Sequence, residues 1–277
     1  ILRASRGSGT IVGSAEKAKK AYRIGVVIRR DTVNETLEEH WDNNHYFGPL
    51  FGGIREAVMN ANVEILYANI EQTDYLRYFN DMQLDGMVLV LPSLNDLWTL
   101  HVLADGGVPF VAVGFSTVDP EDSRITCVDS DNRGGAAQAL DHLVSLGHKE
   151  IGIIDLAISQ SNHYDRFEGF KLAAARLGLK IAASNIVLYA TYDASRFEVQ
   201  ITKWLQRTLE NKTLPTALFV ADYLMALSTL RVLQDAGIRV PQDVSIVSFD
   251  DNMAAAHMTP KLTTVRQPVA TLGQHAV

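Results

Sequence analysis

Cysteine occurs once in the 277 residues, at Cys127, which excludes an intrachain disulfide framework and a zinc site built on cysteine pairs. Long apolar runs are also missing. Nothing approaches the roughly 18 residues of a membrane-spanning helix, and the opening residues lack the apolar middle region of a secretion signal. A soluble, cytoplasmic chain with no membrane partner is the expectation. Catalytic signatures are equally scarce. The glycine run "FGGIREA" does not have the GxGxxG spacing that seats a dinucleotide pyrophosphate, and "GSGT" lacks the lysine of a phosphate loop. No GxSxG nucleophile elbow is present. Glu38, Glu39, His40, Asp42 and His45 crowd the stretch "ETLEEHWDNNH", but without HExxH spacing this reads as a solvated polar loop. No metal, no cofactor and no enzymatic activity are expected.

What remains is an ordinary globular balance, 47% hydrophobic and 21% charged, enough for two compact domains. The net charge of −7 is unevenly placed. Arg3, Arg6, Lys17, Lys19, Lys20 and Arg23 stand against Glu16 alone, so residues 1–23 carry +5 and the remainder carries −12. A polyanionic partner would therefore meet the opening of the chain.

From residue 24 onward, short β-branched runs alternate with amphipathic stretches. "IGVVI" (24–28), "VEILYAN" (63–69), "GMVLVL" (86–91) and "PFVAVG" (109–114) read as buried parallel strands bounded by Gly, Pro or Asp. Between the first two, "FGPLFGGIREAVMNAN" places Leu50, Ile54, Ala57, Val58 and Ala61 on one helical face. After a helix at 134–147, the strands "EIGIIDL" (150–156), "NIVLYA" (185–190), "TALFVAD" (216–222) and "DVSIVSFDD" (243–251) repeat the rhythm, with helices at 163–177, 195–210 and 223–236. "LGL" and "AGI" supply glycine stops to two of these helices. "LTTVRQ" (262–267) and a helical tail follow. This is an α/β chain of two doubly wound parallel-sheet lobes, with a seam near "GHKEIG".

Ligands of open α/β sheets sit beyond the carboxyl ends of the strands, so the cleft between two lobes is the expected site. Asp222 and Asp250 end strands there, and a carboxylate accepts hydrogen bonds from neighbouring hydroxyls. Arg166, in "HYDRFEGF", could turn its forked donors into the cleft. Tyr46, Phe47 and Tyr192 offer flat faces to a sugar ring or a nucleobase. Each residue also has a plainer reading. Asp222 could cap a helix, Arg166 could pair with Asp165 or Glu168 at the surface, and Tyr46 and Phe47 could be core.

In this order the motifs resemble the effector-binding core of the lactose/galactose repressor (LacI/GalR) family, itself similar to periplasmic sugar-binding proteins. The carriers are "DGMVLVLPS", "VDSDNRGGAAQALDHLVSLGHKEIGII", "YDRFEGFKLAAARLGL", "ALFVADYLMALSTLRVLQDAGIRVPQDVSIVSFDD" and "LTTVRQPVATLG", over residues 22–277. The resemblance implies a homodimer that binds a small-molecule effector, and operator DNA through an upstream domain. It implies a first lobe of residues 23–148 plus 266–277 and a second of 149–265. Its effector contacts fall on Arg166, Asp250, Tyr192, Tyr46, Phe47, Gln267 and Asp222, where Ala221 replaces the family's usual Asn. Replacing Asp250 or Arg166 by Ala is expected to abolish effector response while leaving the fold intact.

The opening "RASRGSGTIV" does not look like the hinge of that family. It resembles the final strand pair of a GntR-type winged helix, with Arg3, Arg6, Gly7 and Gly9 supplying the phosphate contacts and the tight turn of a wing. Residues 1–13 would then be the wing and 14–22 a linker, an architecture similar to the arabinose repressors of Gram-positive bacteria, with L-arabinose as effector. A flexible tail is the alternative for this stretch. A purine effector and a transport-linked binding protein are the alternatives for the whole.

Overall fold

The computed structural model describes residues 2–4, 10–12, 21–29, 46–70, 74–117, 119, 121–156, 160–189, 194–251, 255 and 257–277. Strands β1 (Leu2–Ala4) and β2 (Thr10–Val12) form an antiparallel pair in which Leu2 faces Val12 and Ala4 faces Thr10.

Two five-stranded parallel sheets follow. The first contains β3 (Tyr22–Arg29), β4 (Val63–Ile70), β5 (Gly86–Val90), β6 (Phe110–Val113) and β7 (Cys127–Val128), in the order β4-β3-β5-β6-β7. Helices α1 (Phe47–Val58), α2 (Tyr75–Asp81) and α3 (Leu97–Asp105) connect its strands. Helix α4 (Asn132–Ser145) leads to the second sheet, β12-β11-β10-β8-β9. That sheet is built from β8 (Ile151–Leu156), β9 (Ile186–Tyr189), β10 (Ala217–Val220), β11 (Ser245–Phe249) and β12 (Thr263–Val265). Its helices are α5 (Ser161–Arg176), α6 (Ala194–Glu210) and α7 (Tyr223–Asp235), and α8 (Val269–His275) closes the sequence of elements. No described helix is long and apolar enough to cross a membrane.

The continuous apolar strands have the expected cause. Every residue of β5, β8 and β10 is buried, because helices cover both faces of each sheet. On the first sheet, α1 and α8 cover Val26, Ile28, Val88 and Val90, while α2 and α3 cover Val27, Met87 and Leu89. On the second, α6 and α7 cover Ile154, Leu218 and Val220, and α4 and α5 cover Ile153, Phe219 and Phe249. The expected glycine stops occur at Gly178 (φ +69°) and Gly237 (φ +76°), which take the left-handed conformation past α5 and α7.

Two expectations need correction. Helix α4 belongs by packing to the second lobe, since Ala136, Ala139, Leu140 and Leu143 share a core with Ile151, Phe170 and Phe219. The chain therefore passes between the lobes at residues 129–131, before α4, and not at the seam near 148. The buried face of α1 also differs. Leu50 and Ile54 are buried as expected, but Ala57 is exposed and Ala61 lies exposed beyond the helix end at Val58. The face turns toward Gly53 because α8 approaches so closely that a Cβ there would lie 1.9 Å from the Ala270 carbonyl oxygen. From the other side, a Cβ at Gly273 would lie 2.1 Å from the Leu50 carbonyl oxygen.

This backbone contact generates a test. Gly53→Ala should destabilise the protein by about 1–3 kcal/mol by forcing the helices apart. Gly52→Ala, whose Cβ meets nothing within 4 Å, should be neutral or stabilising by up to about 1 kcal/mol. Urea denaturation of both variants checks the pair.

Candidate functional site

In the second sheet, β8 comes first in the chain, β9 lies on one side of it and β10 on the other. Strand order therefore reverses between β8 and β10, and a crevice opens beyond their carboxyl ends. The α4/α5 face of the sheet is apolar through Ile151 and Ile153, Ala217 and Phe219, and Val247. At its last row the chemistry changes. Asp155 replaces an apolar residue in β8, and α5 lays His163 and Arg166 over this end of the face.

Arg166 is 1% exposed and is the centre of the site. Its Nε donates to Asn132 Oδ1 at 3.0 Å and its Nη1 to the Ala221 carbonyl at 2.6 Å. Nη1 lies 3.6 Å from Asp250 Oδ2, and the guanidinium carbon stands 3.8 Å over the centre of the Phe249 ring. The surface-pairing reading of Arg166 is thereby excluded. Asp165 accepts instead from Arg133 Nε at 2.7 Å, and Glu168 pairs with Lys171 at 2.6 Å.

Asp250 follows β11 in the left-handed conformation, φ +72°, which aspartate tolerates better than most residues. Its Oδ1 accepts a hydrogen bond from Gln267 Nε2, and Gln267 lies on the crossover from β12 to α8. The neighbouring Asp251 instead holds Arg266 at 2.6 Å and Thr264 at 3.1 Å. A cavity of about 260 Å³, lined by Pro49, Asp250, Asp251, Arg266 and Gln267, opens beside this crossover. Asp222 caps α7 by accepting from the Met225 amide at 3.1 Å. It is 9% exposed, and burial together with the charge of Asp250 pushes its carboxyl above the ordinary range.

The first lobe contributes Tyr46 and Phe47 at the start of α1. Phe47 stacks on Phe51 with ring centres 5.8 Å apart and packs against the first core, as the plainer reading held. Tyr46 also touches that core, but its hydroxyl reaches the end of β6, where a Cβ on Gly114 would lie 2.5 Å from it. Burial and the charges of Asp129 and Asp250 lift its pKa well above the usual phenol range. Tyr46 thus lies within electrostatic reach of Arg166 and Asp250. Tyr192, Arg6, Gly7, Gly9 and the polar stretch 38–45 lie outside the described residues, and of Arg3 only the strand backbone is described.

Sequence reasoning missed several groups. Ser116, just past β6, donates its amide to Ser161 Oγ at 3.0 Å and its hydroxyl to Asp165 Oδ2 at 2.5 Å, tying the two lobes directly. Asp129, at the crossover into α4, accepts from the Ser130 amide at 2.7 Å and from Asn132 Nδ2 at 3.0 Å. Burial nevertheless pushes its carboxyl up to about 7. Asp155 Oδ1 lies 2.6 Å from His163 Nδ1 in the interior. Asp155 was signalled by one charge in the apolar run "IGIIDL", whereas nothing local marks Ser116.

Two parallel-sheet lobes with a polar cleft define a periplasmic-binding-protein-like domain, and residues 140–277 match the family described by that name. The transcriptional regulator CelR of Thermobifida fusca is 31% identical over 266 residues, covering 92% of this chain and 75% of the relative. The transcriptional repressor PurR of Aliivibrio salmonicida is 27% identical, covering 84% and 69%. Among solved structures, a CelR–cellobiose complex superposes with a TM-score of 0.79 at 25% identity, covering 92% and 75%. A LacI family regulator from Mycobacterium smegmatis superposes with a TM-score of 0.74 at 27% identity, covering 91% and 87%. The chain belongs to the LacI family of transcriptional regulators, as its effector-binding domain. These relatives are regulators of transcription and not enzymes.

Two predictions follow from the buried charges. Arg166→Ala would remove the buried cation that stands 3.6 Å from Asp250 and should cost about 3–5 kcal/mol. Arg231→Ala, which breaks an exposed pair with Glu198 at 3.3 Å, should cost less than about 1 kcal/mol. Guanidinium denaturation separates them. Because Asp129 titrates at about 7 rather than at its ordinary 3.8, the folded state holds more protons than the unfolded chain between those values. Its contribution to stability therefore falls as pH rises through this window. Asp129→Asn should flatten the change in Tm between about pH 5 and 8 relative to the parent, and an unchanged slope would assign the proton to another group.

Proposed function

We propose that this domain senses a small neutral sugar, such as a pentose of the L-arabinose type, in the cleft between its lobes. The observation that carries the reading is the Arg166–Asp250–Gln267 cluster at the strand ends. It joins a forked cationic donor, a carboxylate acceptor and an amide on an interlobe crossover in one place. A sugar hydroxyl that bonds Asp250 competes with Gln267, so occupancy bears on how α8 and the first lobe sit against the second. Tyr46 and Tyr192 supply apolar faces for the ring, with Phe47 backing Tyr46 from the first core, and Asp222 a further acceptor. The cellobiose in the CelR complex supports a saccharide as the ligand class.

The protein works as a cytoplasmic homodimer and reads operator DNA through a domain upstream of the core. The β1–β2 hairpin supports reading residues 1–13 as the wing of a GntR-type winged helix, with Arg3 and Arg6 toward phosphates, Gly7 and Gly9 in the turn, and residues 14–22 as linker. Coupling of about 1–3 kcal/mol between effector and operator would change DNA affinity about 5- to 150-fold.

Thermal denaturation in the presence of pentoses, hexoses, cellobiose and purine bases tests the reading. A ligand at about 100 times its Kd adds roughly 2.7 kcal/mol. A sugar should raise Tm, and Asp250→Asn should abolish that rise. A rise with purine bases alone would make the domain a purine sensor. No rise with any compound would remove the small-molecule reading of this cleft.

A further inference from the structure

We infer that Ser116, Ser161 and Asp165 form a latch that holds the two lobes closed over the cleft, with Asp165 as its positioning residue. The latch acts whatever compound the cleft takes. The Ser116 amide donates to Ser161 Oγ at 3.0 Å, and the Ser116 hydroxyl donates to Asp165 Oδ2 at 2.5 Å. Ser116 belongs to the first lobe, whereas Ser161 and Asp165 lie in the first two turns of α5 in the second. The bond to Asp165 is charge-assisted, and such bonds are shorter and roughly twice as strong as neutral ones.

A latch works only between parts that move as units, and both of its ends are anchored. Gly114 turns the chain past β6 in the left-handed conformation, φ +68°. Phe115 then enters the first core, where it is fully buried with Ala112 and Ile125, and Ser116 follows it directly. On the far side, Ser161 is buried at the first position of α5, while Arg166 and Phe170 fix that helix against its own sheet. The two bonds therefore join one packed sheet to the other, with no loose loop between them.

Asp165 also ties the latch to the crossover. Its Oδ1 accepts from Arg133 Nε at 2.7 Å, and Arg133 stands in the first turn of α4, directly after residues 129–131. One carboxylate thus joins the loop after β6, the start of α4 and the start of α5. When the lobes part, Asp165 keeps Arg133 and water can replace the Ser116 hydroxyl, so opening does not strand an unpaired buried charge. Hinge closure places its rotation in a few residues between rigid bodies, and here those residues are the crossovers at 129–131 and 266–268.

Hydrogen–deuterium exchange of the 277-residue protein without ligand tests the latch, comparing the parent with a Ser116→Ala, Ser161→Ala double variant. Arg176→Ala is the control, since it removes a pair with Asp141 at 2.7 Å between α4 and α5 inside the second lobe. In the double variant the amides at 129–133 and 266–269 should exchange at least about tenfold faster, while those of β5, β8 and β10 keep their parental rates. The return crossover is the telling segment, because Gln267 bonds Asp250 rather than either serine. The control should match the parent throughout. Parental rates at 266–269, whatever happens near the substituted serines, would make the contact a local one and overturn the latch. Faster exchange of all three strands, or crossovers that open equally in the control, would overturn it as well. If the double variant does not fold, Ser116→Ala alone, which keeps the amide and loses one hydroxyl, decides by the same pattern.

Discussion

A guanidinium with almost no access to water holds the second lobe together at its functional end. Removing Arg166 from solvent is expensive, and the structure offsets the cost with a set of contacts that no other residue could complete. Its fork reaches one side chain on α4 and the carbonyl that ends β10, and it approaches the carboxylate beyond β11, while its flat face rests on an aromatic ring. Asp250 can keep an unusual backbone conformation beside it because the surrounding bonds fix it there. The geometry of the cleft floor is therefore a consequence of one buried cation.

That cation also ties the strand ends of the second lobe to the junction between the lobes. Asp250 is shared between Arg166 and a glutamine on the return crossover, so one carboxylate belongs both to the floor of the cleft and to the junction of the lobes. On the opposite side, Ser116 reaches over to Ser161 and Asp165. The two lobes thus meet through short, directional hydrogen bonds. Directional contacts of this kind are made or broken over small displacements.

The fold was largely legible because parallel sheets write themselves as separated apolar runs, and each run from "IGVVI" to "SIVSF" became a strand within a few residues of its expected bounds. Helices α2 and α3 were not singled out. The first is a single short stretch, "YLRYFND", and the second, "LWTLHVLAD", is apolar on so many sides that no stripe stands out. The assignment of α4 failed for a different reason. Its small residues, Ala136 and Ala139, would suit either sheet, and only three-dimensional packing shows which one they join. In the site, Asp250, Arg166 and Gln267 were reachable because strand ends and a family pattern point to them. The burial of Arg166 was not, since its engagement depends on Asn132, Ala221 and Phe249, which are remote in sequence. Asp222 proved to be a helix cap within electrostatic reach of Asp250, which its position at a strand end already allowed.

The glycine contact between α1 and α8 has a consequence for the order of assembly on the ribosome. The second lobe is continuous from α4 to β12, whereas one face of the first sheet is completed by Val269, Leu272 and Ala276. Synthesis proceeds from the N-terminus, so residues 22–128 emerge first yet wait, with the apolar groove of Leu50 and Ile54 uncovered, until α8 is made. The lobe encoded later has all its parts first. The nascent chain therefore carries an exposed hydrophobic surface for the length of about 140 residues of translation, a state prone to aggregation.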